Sequence, residues 1–270
     1  MLWERELDAR VIDSGDFAHL GERGFDPADD FAAHMRAVRW NAVSAANKHL
    51  LQAPFRAGIK LEAYQLEPLV KALDLPRVNL FIADDVGLGK TIEAGLVMRE
   101  LMLRRRCDFA VVACPPSMLM QWKDELENRF GLSFLIVDRS HLARVRREQG
   151  YSTNIWATHP RFLISHALLA DETYVAGLKE LLGSFRQKAL LILDEAHHAA
   201  PSSGQRYAID SQLTRAVRGL AARFEHRLFL SATPHNGHSY SFAALLEILD
   251  PNLLIPEEAA PQFRDDAAPL

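Results

Sequence analysis

From Leu61 onward, short apolar runs alternate with longer segments in which apolar positions recur every three or four residues. The runs Leu80–Ala83, Phe109–Cys114, Ser133–Val137, Asn154–Ala157, Ala189–Leu193 and Arg227–Leu230 have the length of strands buried on both faces. Between them, the periodicity predicts helices over Ala63–Leu73, Thr91–Arg105, Ser117–Phe130, His141–Glu148, Arg161–Leu169, Glu172–Leu182, Ser211–Ala222 and Ser239–Leu249. Such alternation marks an α/β domain with a central, mostly parallel sheet covered by helices. Residues 1–50 open with an acidic, glycine-containing stretch and continue into a helical pattern near Phe31–Leu51 that Pro54 breaks. We read 1–54 as a partly helical extension, 55–251 as the main domain and 252–270 as linker.

The chain has 270 residues, of which 49% are hydrophobic and 24% charged, enough for one large domain with an appendage. No run approaches the roughly 20 apolar residues that cross a bilayer, and the charged start does not resemble a secretory signal, so a cytoplasmic protein without a membrane partner is expected. Cys107 and Cys114 are too few for a disulfide framework or a four-cysteine zinc site. The net charge of −4 hides an uneven distribution. Residues 1–30 hold nine acids against three arginines and residues 251–270 four against one, which leaves 27 basic and 22 acidic residues in 31–250. That body carries +5, so charge does not exclude a nucleic acid.

In parallel sheets ligands bind where strand ends lead into helices, and the polar motifs follow the apolar runs. Gly87-Leu88-Gly89-Lys90-Thr91 lies between a strand and a helix. Its glycines let successive backbone N–H groups turn toward a phosphate, Lys90 suits the β- and γ-phosphates, and Thr91 offers a hydroxyl to Mg²⁺. Asp84 occupies the position where the strict phosphate-loop pattern has glycine. About a hundred residues on, Ala189–Leu193 delivers Asp194 and Glu195, carboxylates suited to holding a metal and to activating a water in phosphoanhydride hydrolysis. A third strand runs into Ser231-Ala232-Thr233, whose hydroxyls can relay changes at the carboxylates. His235 and His238 are two ligands short of a zinc site. A dinucleotide fingerprint is absent because Gly87 and Gly89 are not followed by the third glycine that the pattern needs before Glu93.

In order and spacing, these three motifs resemble the first RecA-like lobe of superfamily-two helicases and translocases, over about residues 55–251. Ala83-Asp-Asp-Val-Gly-Leu-Gly-Lys-Thr-Ile-Glu93, Cys114-Pro-Pro-Ser-Met-Leu-Met-Gln-Trp-Lys-Asp-Glu125, Leu230-Ser-Ala-Thr-Pro-His-Asn-Gly237 and Leu245-Leu-Glu-Ile-Leu-Asp-Pro251 are similar to signatures of its Swi/Snf branch. The closest likeness is to bacterial members that include the polymerase-recycling ATPase and the helicases of DISARM-type phage-defence systems. Asp85 stands where the branch more often has Glu, and Ser-Ala-Thr is also the common helicase version of its motif.

The resemblance implies a P-loop domain that binds ATP and Mg²⁺ and translocates on DNA. Lys90, Thr91 and Asp194 match its phosphate and metal residues, Glu195 its catalytic base, and Gln65 the glutamine that reads adenine, with Tyr64 beside the same base. His197, with Ser231 and Thr233, would couple the site to its surroundings. Pro115, Pro116, Ser117, Thr158 and Arg161 would meet DNA backbone phosphates, independently of base sequence. Arg139, Arg144, Arg146, Arg147 and Lys123 could extend that track, although a solvated helix face explains the arginines equally simply. Arg104–Arg106 suit a helix carboxyl end.

The resemblance also places an arginine finger in a second RecA-like lobe, expected to be missing from this chain, so the isolated fragment should hydrolyse ATP very poorly. Partner proteins of a larger complex are possible. Two other readings compete: a non-hydrolysing scaffold gated by ATP or DNA, and an RNA helicase of the Asp-Glu-Ala-His type.

Overall fold

The computed structural model describes residues 29, 32–33, 47, 50–85, 87–201, 211–232, 239–255 and 262–263. It divides into two compact units, Met1–Leu51 and Gln52–Leu270. In the first, Asp29, Ala32 and Ala33 are helical, and most of the helix expected near Phe31–Leu51 lies outside the described residues.

The second unit is built on six parallel strands: β1 (Asn79–Ile82), β2 (Phe109–Cys114), β3 (Leu135–Val137), β4 (Arg161–Ser165), β5 (Arg186–Leu193) and β6 (Phe224–Leu230), in the order β1-β6-β5-β2-β4-β3. Apart from two single-turn helices, Ala53–Arg56 and His166–Leu169, seven helices among the described residues connect or flank them: α1 (Glu67–Asp74), α2 (Lys90–Leu103), α3 (Leu119–Phe130), α4 (Arg139–Gln149), α5 (Glu172–Leu182), α6 (Gln212–Ala221) and α7 (Ser239–Leu249). Local chemistry sets their ends. Asp138, Asp171 and Ser211 cap α4, α5 and α6 by accepting backbone N–H bonds, while Gly131, at φ 64°, terminates α3.

All six residues of β2 are buried, as are the last five of β5, which is what helices on both sheet faces demand. Phe109, Val111, Ala113, Leu191, Leu193 and Phe229 join one core with residues of α5, α6 and α7. The alternate positions Ala110, Val112, Leu190, Ile192 and Leu228 are also buried, and α2 packs against both α1 and α3. Phe81 meets Phe242 of α7 edge-on at 5.2 Å, and Trp156 meets Phe162 at 4.9 Å.

The expected strand Asn154–Ala157 and helix Arg161–Leu169 are corrected. Asn154 accepts the Trp156 N–H at 3.0 Å, and its amide donates to the Gly177 carbonyl at 2.7 Å; these bonds curl the segment into the 3₁₀ turn Ile155–Ala157. The strand is Arg161–Ser165, which pairs with β2 and β3, and only His166–Leu169 is helical. The apolar run Phe162-Leu163-Ile164 after Pro160 was the available signal, hidden because the same residues also fit a helical stripe. Within the expected linker, Leu254–Ile255 pairs antiparallel with Gln262–Phe263.

The chain passes from β1 to β2 across two places that β6 and β5 later fill, so the carboxyl ends of β1, β6 and β5 stand side by side.

Candidate active site

The turn after β1 enters α2 with Gly87 at φ 91° and Gly89, its cap residue, at φ 97°, a region L side chains rarely adopt. The carbonyl of Gly89 accepts the N–H groups of Ile92 at 2.7 Å and Glu93 at 3.1 Å, so helix begins immediately after the turn. Lys90 folds back: its Nζ donates to the carbonyls of Asp84 at 2.8 Å and Asp85 at 3.1 Å. The ammonium is thereby held over the loop by weak, exchangeable acceptors.

Gln65 is buried against this loop. Its amide donates to the Leu88 carbonyl at 3.2 Å and accepts the Glu62 N–H at 3.3 Å, a reciprocal cap on the turn Ala63–Leu66. Tyr64 donates its hydroxyl to the same Leu88 carbonyl at 2.9 Å. Both side chains brace the phosphate loop, and Gln65 keeps one N–H and one lone pair for a base edge.

Behind the loop, Glu93 is 1% exposed, and burial, reinforced by the Asp84 carboxyl, pushes its own carboxyl up to about 8. It is therefore uncharged at neutral pH. The sequence offered only its position, three residues after Lys90.

At the end of β5 the chain turns sharply. Asp194 is buried, whereas Glu195 adopts φ 46° and ψ 49° and starts the 3₁₀ turn Ala196–Ala199. A left-handed glutamate costs about 1–2 kcal/mol, and the turn sends two consecutive carboxylates to different surroundings. Asp194 accepts the Trp122 indole N–H on Oδ2 at 2.8 Å and the Glu195 N–H on Oδ1 at 2.9 Å. Burial raises its pKa, the Trp122 bond opposes that rise, and the neighbouring Glu195 adds to it. No cationic side chain forms a salt bridge with Asp194 among the described residues. Lys90 acts on this carboxylate only through its charge, without a salt bridge, and Asp194 with the Thr91 hydroxyl at the start of α2 offers hard oxygen donors of the kind Mg²⁺ prefers. No group of three or more His, Cys, Asp or Glu residues that could hold a metal occurs among the described residues.

Glu195 Oε2 lies 3.2 Å from His197 Nδ1, which is also 3.1 Å from the Ser231 hydroxyl at the end of β6. A carboxylate only accepts, so this nitrogen carries the proton. Burial, then the nearby His198, lowers the pKa of His197 against the pull of Glu195, so the ring is neutral at pH 7. Ser231 is fully buried and donates its own N–H to the Ile82 carbonyl of β1 at 3.0 Å. Gly87–Thr91, Asp194–Glu195, His197 and Ser231 therefore share one edge of the sheet. Thr233, His235 and His238 lie outside the described residues.

The five nucleic-acid candidates separate. Pro115 precedes, and Pro116 and Ser117 begin, the 3₁₀ turn Pro116–Met118 after β2, next to β5, on the edge that carries Asp194. Thr158 and Arg161 precede or begin β4, whose register pairs Arg161 with Ala110, and so lie at the opposite edge. There the Arg161 Nε donates to the Ser133 carbonyl at 3.0 Å. The resemblance groups them with Pro115; with the strand at Arg161–Ser165, the residues that follow its carboxyl end are His166 and Ala167.

Arg104 is bound to the buried Glu100 at 2.8 Å, and Arg106 donates to the Leu75 and Pro76 carbonyls, so both serve packing around the end of α2. No helix among the described residues is long and apolar enough to cross a membrane.

Comparison with known proteins agrees with this architecture. The SWI2/SNF2 ATPase core of Sulfolobus solfataricus, solved in complex with dsDNA, superimposes with a TM-score of 0.56 at 22% identity, covering 76% of this chain and 38% of that one. The Hef helicase domain of Pyrococcus furiosus gives a TM-score of 0.50 at 17% identity, over 70% and 36%. At these identities the likeness establishes a RecA-like fold. RNA polymerase-associated protein RapA of Sodalis glossinidius is 30% identical over 260 residues, and that of Serratia proteamaculans 30% over 249. Each alignment takes in 91% of this chain but only 24% of the relative, so the chain spans about a quarter of their length. Residues 33–266 match the SNF2-related domain, and the chain accordingly belongs to the SNF2-related domain family.

Proposed function

We propose that this chain is the ATP-binding lobe of an ATP-dependent translocase that moves on DNA through backbone phosphates. The observation that carries the reading is the convergence, on neighbouring ends of β1, β5 and β6, of a phosphate loop and two carboxylates in different environments, with His197 joining Glu195 to Ser231. The first-turn amides of α2 and the loop glycines receive the phosphates. Lys90 exchanges the Asp84 and Asp85 carbonyls for phosphate oxygens, a stronger, charge-assisted pairing. Gln65 and Tyr64 hold the loop and flank the base. Thr91 and Asp194 would hold Mg²⁺, which when bound neutralises charge on the β- and γ-phosphates.

Glu195 is half-exposed, so it can meet a water and accept its proton. His197, already bonded to that carboxylate, passes any displacement to Ser231 and hence to β6 and β1. Pro115–Ser117, on the same edge, would contact DNA phosphates, and a second lobe would supply the arginine that stabilises the leaving phosphate. Loss of such a residue costs about 10³–10⁵ in rate.

The test is ATP turnover by the full-length protein with and without duplex DNA, for wild type and Glu195→Gln. The variant should bind ATP with wild-type affinity and lose at least about 100-fold in turnover. Turnover that survives Glu195→Gln, or a wild type that binds no ATP, contradicts the reading.

A further inference from the structure

Trp122 lies on α3, fully buried, seventy-two positions before the aspartate it touches. An indole offers one donor and no acceptor, and buried it must find a partner. The two buried tryptophans of the sheet domain solve this differently. Trp156 donates to a backbone carbonyl, that of Tyr174, at 2.8 Å, whereas Trp122 donates to the Asp194 carboxylate at 2.8 Å. The other Asp194 oxygen takes the Glu195 N–H. With a donor on each oxygen, the carboxylate is held against rotation about its last bond, and each oxygen retains acceptor capacity for a further partner.

Trp122 follows the exposed turn Pro116–Met118 by four residues, so the helix that fixes Asp194 starts at the surface turn on the same sheet edge. We propose that Trp122 is a positioning residue: its indole N–H sets the Asp194 carboxylate in the orientation that receives Mg²⁺ with the nucleotide. This rests on the Mg²⁺·ATP reading above.

The experiment measures mant-ADP affinity by anisotropy on the full-length protein, once in EDTA and once in millimolar Mg²⁺, and reads the ratio of the two. Wild type should bind more tightly with Mg²⁺. Trp122→Phe keeps an aromatic ring but no donor, and should cut that ratio about tenfold or more while leaving the EDTA affinity unchanged, the size usual for an outer-sphere partner of a metal ligand. Because Phe leaves a cavity, Trp122→3-benzothienylalanine, which exchanges the N–H for sulfur in the same outline, should show the same loss with its fold intact. Trp156→Phe, which also removes a buried indole, should keep the wild-type ratio. If the benzothienyl variant also keeps it, Trp122 is core filling and the inference is overturned while the nucleotide site stands. If wild type binds mant-ADP equally with and without Mg²⁺, the metal reading itself is overturned and this inference with it.

Discussion

A methyl group at Gly89 would meet the Gln65 amide nitrogen at 2.7 Å and would also have to be carried at φ +97°. Gly89→Ala should therefore lower stability by about 1 kcal/mol or more through backbone strain. By displacing Gln65 from Leu88, it should also weaken nucleotide binding more than tenfold; urea unfolding and mant-nucleotide titration check the two effects. This residue was legible beforehand because phosphate loops need glycine for a backbone reason that no side-chain context alters. The pairing of Trp122 with Asp194 was not legible, since the two residues meet only through strand order, and the link of His197 to Ser231 came from the resemblance rather than from the residues themselves. Glu93 shows the same limit: sequence marks an acid in the first turn of a helix, and only burial makes it neutral.

Among elements, α2 is the most enclosed, with a nearly continuous buried stretch from Ile92 to Met98, and it meets α3 through Gly95. A Cβ there would lie 2.4 Å from the Phe130 ring. Gly95→Ala should cost about 1–3 kcal/mol by overpacking, despite alanine's better helix propensity, and a lowered urea midpoint with unchanged slope would register it. Helices with clear caps and periodicity, such as α5 and α7, coincide with the ranges read from sequence. The failure at β4 has the opposite cause. Arg161–Ser165 is a strand only because β2 and β3 stand on either side to take its backbone bonds.

For the whole molecule, the histidines set the response to acid. Burial is the foremost cause of lowered pKa at His141, His159, His166, His197 and His226, and His166 falls to about 4. Each binds its proton less readily folded than unfolded, so the unfolded chain takes up more protons once pH falls below about 6.5. The histidine contribution to stability should be full above that pH and decline below it, whereas Glu93, pushed up to about 8 by burial, opposes it by favouring the folded state as pH falls from about 8 toward the ordinary carboxylate range. His226 accepts the Val78 N–H on Nδ1 at 3.1 Å, and its Nε2 lies 3.1 Å from the Arg106 carbonyl, tying β6 to the entry of β1. His226→Gln should flatten part of the slope while lowering stability at pH 7.5. Chemical denaturation of wild type and variant between about pH 7.5 and 5 is the check, and a difference between their midpoints that does not change with pH would contradict it.

Sequence by itself determined the fold class and the chemical vocabulary of the site, because buried strands, helix caps and a phosphate loop are local demands met by neighbouring residues. It also placed Lys90, Asp194, Glu195 and Ser231 at strand ends. Tertiary structure alone decided which strand ends adjoin: β6 and β5 fill the gap that β1 and β2 leave open, bringing Gly89, Glu195 and Ser231 to one edge and sending Thr158 and Arg161 to the other. Hydrophobic periodicity records which face of a strand is buried, not which strand lies beside it.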